Sequence, residues 1–390
     1  MNFVLYTNVI SPHQLPLAKE LAAREGCDNF KYIYTADADK DHGDFGWSLG
    51  MPDWCVRVGD VDTEDFLENA ATLLSGLRCF NLFKRRANRG LKNFYMTERW
   101  FKPPIGIFRL LHPRYFGYAR RLCRLLTEGA LIGLPIGIHA ARDMARLCGL
   151  MHGDLRCLFR APKLDFESKP GGKIWLKNGG HDKRYCLDKM CMWGYYVEPS
   201  RFVALPVQES SDPKSSHLTH SQPTTHNAIR VLWVGRLLNL KRVDTIVRAV
   251  GEHANLKRVD NSLPKITLDI YGAGPEEARL KKMAMKYGDI IRFYSPVPIS
   301  DVRKLMREHD VYVLASNGYE GWGAVVSEAL EEGIKVIGTY EAGSSATILP
   351  FDCLFHAGDC EELLKRLSGV VPIVGIRDWN ARYAAEVIDA

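Results

Sequence analysis

Short apolar runs recur along the chain, each followed by a polar or glycine-rich turn and then by a segment with helical periodicity. That alternation predicts strands feeding helices, as in a parallel sheet with right-handed crossovers. In the first half, Asn2 to Asn8 reads as a strand, followed by the turn Ile10-Ser11-Pro12-His13-Gln14 and a helix from Leu15 to Glu25. Phe30 to Tyr34 and Trp54 to Val58 read as further strands, and Asn93 to Met96 leads into Thr97-Glu98-Arg99. Leu131 to Ile138 reads as a buried strand that closes on His139 to Asp143, with a helix to Cys148. After a polar segment from Gln208 to Thr225 the pattern restarts. Strands are expected at Ile229 to Val234, Ile266 to Tyr271, Ile291 to Tyr294, Val311 to Ala315 and Lys335 to Gly338. Helices are expected at Val243 to Gly251, Glu276 to Tyr287 and Ser300 to His309, and Gly343-Ser344-Ser345 follows the last strand.

This pattern divides the chain into an N-terminal domain over 1–207, a linker over 208–228 and a C-terminal domain over 229–375. A last helix over 376–390 is placed to pack back on the first domain. The 390 residues are enough for two such domains. No apolar run reaches the ~18 residues of a membrane-spanning helix. The ten cysteines are scattered without zinc spacing, which suits reduced thiols in a cytoplasmic protein.

The formal charge of +6 is mild but unevenly spread. Between Leu77 and Leu126 the basic residues include Arg78, Lys84, Arg85, Arg86, Arg89, Lys92, Arg109, Arg114, Arg120, Arg121 and Arg124, and Glu98 is the one acid. Apolar residues interleave with them, among them Phe80, Phe83, Phe108, Leu111 and Phe116. Such a basic amphipathic region suits peripheral contact with an anionic membrane. A helical region with a solvated basic face is the plainer reading. No nucleic-acid motif accompanies the charge, so nucleic acid is not an expected partner.

The candidate chemistry centres on Ser316 to Glu328, Ser-Asn-Gly-Tyr-Glu-Gly-Trp-Gly-Ala-Val-Val-Ser-Glu. Asn317 to Gly323 is a glycine-rich turn from a strand into a helix whose N-terminus favours an anion. Glu320 stands in the loop and Glu328 in the helix. Such a turn can hold a phosphate at its N–H groups while each carboxylate grips hydroxyls; the alternative is a capped turn with two solvated glutamates. Two more turns carry similar features: Gly235-Arg236 with Lys241 and Arg242 beyond it, and Gly272-Ala273-Gly274-Pro275. Gly272-x-Gly274 lacks the third glycine and the distal acid of a dinucleotide fingerprint. In the first half, His13, Glu98 and His139 follow strand ends and are candidates to face a cleft. Each has a structural alternative: a helix cap for His13, a pair with Arg99 or Lys102 for Glu98, and a satisfied core histidine for His139.

Taken together, Gly235-Arg236 with Lys241, the Gly272 to Pro275 turn, and Glu320-Gly-Trp-Gly with Glu328 resemble a GT-B glycosyltransferase of family 4. That family's pattern is glutamate, seven residues, glutamate. The resemblance runs over about residues 229 to 350, and Thr97-Glu98-Arg99 and Trp193-Gly194-Tyr195 look like segments of bacterial capsular and exopolysaccharide-assembly members. It departs in the first turn, where Pro12-His13-Gln14 replaces a glycine pair, and at Ser295, where a glycine is usual.

The resemblance implies an α/β protein of two Rossmann-like, doubly wound domains whose parallel sheets face a central cleft. It implies transfer of a sugar with retention from a nucleotide sugar, a UDP- or GDP-sugar, to a lipid-linked or oligosaccharide acceptor in cell-surface polysaccharide synthesis. No cofactor and no metal are expected. Arg236 and Lys241 would neutralise the diphosphate, and Gly321, Trp322, Gly323 and Ala324 would contact sugar and phosphates through their N–H groups. Glu328 would bind the ribose and Glu320 the donor sugar. Gly235, Gly272, Gly274 and Phe293 complete the donor side, and Glu98 and His139 join the catalytic candidates. A non-catalytic nucleotide-sugar-binding partner and a GT-B epimerase are the alternatives. The expected location is the cytoplasm, with peripheral contact at the inner face of the plasma membrane.

Overall fold

The computed structural model describes residues 2–37, 52–60, 62–177, 182–198, 228–369 and 379–389. The expected linker at Gln208 to Thr225 lies outside them. Two six-stranded sheets carry the fold, with every strand pair in them parallel. The first comprises β1 (Phe3–Thr7), β2 (Phe30–Tyr34), β3 (Cys55–Arg57), β4 (Thr72–Ser75), β5 (Lys92–Thr97) and β6 (Ile132–Pro135), in the order β3-β2-β1-β4-β5-β6. A two-stranded antiparallel ribbon follows, β7 (Leu164–Phe166) with β8 (Ile174–Leu176). The second sheet comprises β9 (Ala228–Val234), β10 (Lys265–Tyr271), β11 (Ile291–Tyr294), β12 (Val311–Leu314), β13 (Lys335–Thr339) and β14 (Leu354–Phe355), in the order β11-β10-β9-β12-β13-β14. The two orders are the same. Each reverses beside its first strand, and ligands of doubly wound sheets bind at the carboxyl ends of the strands there.

Helices cover both sheets. In chain order they are α1 (Leu15–Glu25), α2 (Thr63–Asn69), α3 (Phe80–Ala87), α4 (Pro113–Thr127), α5 (Ile138–Met151), α6 (Val243–Val259), α7 (Glu277–Ala284), α8 (Ile299–Arg307), α9 (Val325–Glu331), α10 (Gly343–Ile348), α11 (Cys360–Ser368) and α12 (Ala381–Asp389). All four β12 residues are buried, as a strand sandwiched between helix layers must be. The last helix lies against the first. Ala384, Ala385 and Ile388 are buried, and Arg24 of α1 pairs with Glu386 at 2.8 Å.

Some elements differ from the expectation. The strand expected at Leu131 to Ile138 ends at Pro135, and Ile138 already opens α5. Gly137, at φ 82, makes the bend that turns the chain from strand into helix, so His139 to Asp143 form that helix's first turns. Glu328 lies in the first turn of α9, which begins at Val325. The helix expected at Glu276 to Tyr287 breaks at Ala284 into a 3-10 stretch, and α6 runs on to Val259.

The basic region is also narrower than its sequence suggests. Arg86 is fully buried and donates to Asn93 Oδ1, Leu67 O and Ala70 O at 2.9, 2.8 and 2.7 Å. It ties α3 to the turns around it and adds nothing to a solvated face. Arg85 is paired with Glu68, and Arg78 lies over the Trp100 ring. Arg114, Arg120, Arg121 and Arg124 are exposed on one side of this region and Lys84, Arg89 and Lys92 on another, while Arg109 is half-buried.

Candidate active site

At the switch point of the second sheet, β12 runs into the turn that carries Glu320. Lys241 Nζ donates to Glu320 Oε2 at 2.5 Å, and Ser316 Oγ donates to the same oxygen at 3.0 Å. Both ionic partners are mostly shielded from water, which strengthens their attraction. The turn is pinned to its surroundings: Asn317 N donates to Leu240 O, Thr339 Oγ1 to Ser316 O, and Ser344 Oγ to Gly323 O. Gly343 N and Ser344 N bond to Gly321 O and Trp322 O. The carbonyls of Ser316, Gly321, Trp322 and Gly323 are thus occupied. The N–H groups of Gly321, Trp322, Gly323 and Ala324 donate no hydrogen bond among the described residues. Four consecutive donors beside a Lys–Glu pair suit an anionic group.

The turns after β9 and β10 support this one by close backbone contact. Gly235 N donates to Tyr271 O and Leu237 N to Ala273 O. A Cβ on Gly272 would overlap the Gly235 carbonyl oxygen, and one on Gly274 would lie 2.5 Å from Leu237 O. Arg236 is exposed at the tip of its turn. Arg242 adopts a left-handed backbone, φ 49, at the start of α6 and pairs with Asp244.

The first domain meets the acid-bearing turn directly. The Glu98 carboxylate lies against Gly321, where a Cβ would sit 3.2 Å from Oε2. Lys102 pairs with Glu98, and Tyr195 Oη donates to its other oxygen at 3.2 Å. Arg99 Nη1 donates to Gly318 O at 3.0 Å, and buried Asp143 stands 3.5 Å behind its Nε. His139 Nε2 bonds to Tyr340 O at 2.7 Å. Burial, with Arg99 and Arg142 nearby, pushes its imidazole down to about 4. Burial alone lowers His13 to about 4 as well, so both rings are neutral at pH 7. His13 does not cap α1, whose N-cap is Gln14.

The structure thus gathers Glu98, Lys241, Glu320 and Gly321 to Ala324 at one place, with His139 at the same domain interface. Two candidates stand apart. Phe293 is on the edge strand β11, separated from β12 by β10 and β9, with the Lys281 ammonium 6.0 Å from its ring centre. The Trp322 ring is buried in a socket formed by Gly137, Gly194 and Trp379, leaving only its backbone at the turn. Glu328 makes no side-chain hydrogen bond among the described residues, and burial raises its carboxyl, with Arg303 opposing. Arg99, Tyr195 and Asp143 were not candidates from the sequence. The Thr97-Glu98-Arg99 and Trp193-Gly194-Tyr195 segments were visible there, but pairing them across the sheet required the fold.

Comparison with known proteins agrees with this geometry. Residues 228–371 match the family model of glycosyl transferases, group 1. Among solved structures, the lipopolysaccharide outer core galactosyltransferase WaaB aligns at TM-score 0.54 and 11% identity over 100% of this chain and 95% of its own. The trehalose-6-phosphate synthase from E. coli aligns at TM-score 0.54 and 12% identity with the same coverage. The fold is GT-B. Among curated proteins, the UDP-N-acetylglucosamine–peptide N-acetylglucosaminyltransferase GtfA subunit of Streptococcus gordonii is 33% identical over 111 residues. Those cover 28% of this chain and 20% of the relative, so the chain spans about a fifth of that protein's length. In GT-B terms, the paired Lys241 and Glu320 belong to the second sheet's domain, and Glu98 and His139 approach them from the first. Among the described residues no three His, Cys, Asp or Glu side chains converge as metal ligands.

Proposed function

We propose that the protein is a retaining glycosyltransferase that moves a sugar from a nucleotide sugar to a lipid-linked or saccharide acceptor in bacterial cell-surface polysaccharide synthesis. The observation that carries this reading is the Lys241–Glu320 pair beside the undonated N–H groups of Gly321 to Ala324, facing Glu98 of the other domain. Arg236 and Lys241 hold the diphosphate, and their charge grows in value as the leaving group gains its own. The backbone N–H groups bind the donor's phosphates and sugar, Glu320 orients the sugar near its anomeric carbon, and Glu328 accepts from the ribose hydroxyls. With Arg and Lys supplying positive charge, the reading calls for no metal. The departing phosphate takes the acceptor's proton on the face it leaves, so the anomeric configuration is kept and no covalent glycosyl-enzyme accumulates.

UDP-sugars are the first donors to test, because the GtfA relative is named for UDP-N-acetylglucosamine and the E. coli neighbour was solved with UDP-2-fluoro glucose. Thermal stabilisation by a panel of UDP- and GDP-sugars identifies the donor, since a ligand of the folded state alone raises apparent stability. NMR of the first-formed product then tests the mechanism. An inverted anomeric centre overturns it, and binding without turnover supports a non-catalytic partner instead.

We further assign the protein to the cytoplasmic side of the membrane, held there by attraction of the exposed Arg114, Arg120, Arg121 and Arg124 to anionic lipid. No helix among the described residues is long and apolar enough to cross a membrane. Charge-driven binding to anionic vesicles fades as salt rises, because screening acts over ~10 Å at 0.1 M.

A further inference from the structure

The first domain carries a concentration of exposed apolar side chains that its charge does not explain. Ile105, Phe108, Leu111 and Phe116 are exposed along the 3-10 turn Gly106–Leu111 and the start of α4. Leu155, Leu158 and Phe159 are exposed on a second turn, after α5, outside the basic segment. Leu111 and Phe159 are the extremes, 80% and 87% exposed. Soluble proteins rarely leave such groups clustered in water unless the patch meets a partner or a membrane.

Neither turn is a loose end. Arg146 donates to Cys157 O at 2.6 Å and to Leu158 O at 2.8 Å, and its guanidinium lies 5.7 Å over the Phe101 ring. One side chain therefore ties the second turn to the segment leading into the first. Asp154 braces the second turn again, accepting from Arg156 and, at 2.5 Å, from the Tyr185 hydroxyl. The apolar side chains are held outward by a rigid base.

Between α4 and the end of α5 lies a hollow of about 600 Å³. Phe116, Leu150 and Met151 give it an apolar wall, while Arg120, Arg124, Glu128 and His152 stand at its polar side. Arg124 is paired with Glu128 at 2.7 Å. Arg109, Arg120 and Arg121 make no hydrogen bond or ion pair among the described residues. An unpaired guanidinium over an apolar wall, flanked by outward apolar turns, matches a lipid: phosphate at one end and acyl chain at the other.

We propose that this hollow and its two turns form a docking site for an anionic phospholipid of a bilayer. The phosphate lies at Arg120 and the acyl chain runs along Phe116 and Met151, while Phe108, Leu111 and Phe159 enter the boundary of the acyl layer. This deepens the membrane reading above by adding a built apolar site to a charge-driven contact.

The test is co-sedimentation of the full chain with vesicles of phosphatidylcholine, with and without phosphatidylglycerol, at low salt and at about 1 M, where screening shortens to about 3 Å. The native protein is expected to keep binding the anionic vesicles at high salt. The pair Leu155→Glu and Phe159→Glu should reduce that salt-resistant binding roughly tenfold or more, as expected for losing buried apolar side chains. Arg120→Glu should weaken the preference for phosphatidylglycerol severalfold, more than the same change at Arg85. Arg85→Glu, off the patch, is the control, and circular dichroism confirms that each variant folds. Binding that vanishes wholly at high salt overturns the site but leaves the charge-driven contact standing. No binding at any salt overturns both. A lipid-free dimer that the same substitutions disperse shows that a second copy covers this face, which also overturns the proposal.

Discussion

The two sheets share one strand order, yet the turns at their switch points are built differently. After β9 and β10 the backbones touch, and Gly272 has no room for a Cβ against Gly235 O. After β1 side chains fill the space instead. Tyr32 Oη donates to Gln14 Oε1 at 2.7 Å, and Thr7 Oγ1 donates to Val9 O at 2.9 Å. Gly76, after β4, has room to spare, with Thr7 Cγ2 3.9 Å from where a Cβ would stand. The second domain thus exposes backbone donors, as a phosphate site needs, while the first brings Glu98, Tyr195 and His139 as side chains. One scaffold carries a backbone-lined half-site and a side-chain-lined half-site. This is the physical counterpart of the glycine pair missing from the first turn.

The strongest challenge to that division is at the acid-bearing turn. Glu320→Gln and Lys241→Ala are expected to lower turnover by about 10²–10³-fold, the usual effect of removing a preorganised charge from a reacting centre. Glu320→Gln should act on turnover more than on donor affinity, and Lys241→Ala and Glu328→Ala should weaken nucleotide binding. Steady-state kinetics with calorimetric titration of UDP separates these effects, and thermal unfolding checks that the fold survives. Unchanged UDP affinity in both Lys241→Ala and Glu328→Ala would remove the donor assignment.

The glycines sharpen the comparison further. Gly272→Ala should destabilise the protein by about 3 kcal/mol, because the new methyl meets backbone that cannot move without breaking the Gly235–Tyr271 bond. Gly76→Ala, in the open turn of the first domain, should stay within about 0.5 kcal/mol. Urea unfolding of the two variants decides it. Equal effects would mean that the two half-sites are not built differently.

The same contrast governs what could be read before folding. In the second half the strands are mostly apolar, β9 and β10 are followed directly by Gly235 and Gly272, and Ile291 to Tyr294 appears in the structure with the expected bounds. In the first half β4 is four residues, Thr72 to Ser75, with hydroxyls at both ends; its periodicity is too short to register, and it was missed. Helices α2, α3, α4 and α11 were not placed individually either. Arg86 counted as surface charge because a buried guanidinium satisfied by backbone carbonyls leaves no mark in composition. The Lys241 to Glu320 pairing joins residues on different strand ends of one domain. Arg99 to Gly318 joins two domains 219 positions apart, and nothing local announces it.

Arg99 tests whether the two half-sites act together. Its guanidinium is the first domain's hydrogen bond to the acid-bearing turn, with Asp143 holding it from behind. Arg99→Ala should cost about 1.5–3 kcal/mol of local stability, the range for a hydrogen bond from a charged group. Hydrogen exchange should quicken at Tyr319 to Gly323 and stay unchanged in β12, while Arg99→Lys restores part of the protection. Unaltered exchange in the turn would mean that it is set by its own domain alone.

The smallest effect expected is in the pH dependence of stability, where the two halves pull in opposite directions. His139 titrates at about 4 in the folded chain, below the ordinary histidine value of about 6.5. Between those values the unfolded chain binds a proton that the folded one refuses, so this stability is present above pH 6.5 and is lost as pH falls toward 4. Glu328 in the second domain is raised by burial, so there the folded chain keeps a proton that the unfolded one has lost. Its term falls as pH rises above the ordinary glutamate range. His139→Gln should therefore flatten the loss of stability between pH 6.5 and 4.5. The change should be about 1 kcal/mol once solvent screening of a partly exposed ring is allowed for. Glu328→Gln should leave that histidine-driven slope in place and remove the opposing one. Unfolding free energies from urea titrations at pH 4.5, 5.5 and 7 separate the two. If His139→Gln follows the native curve, the imidazole is not held neutral at the domain interface, and its bond to Tyr340 O does not tie the halves together.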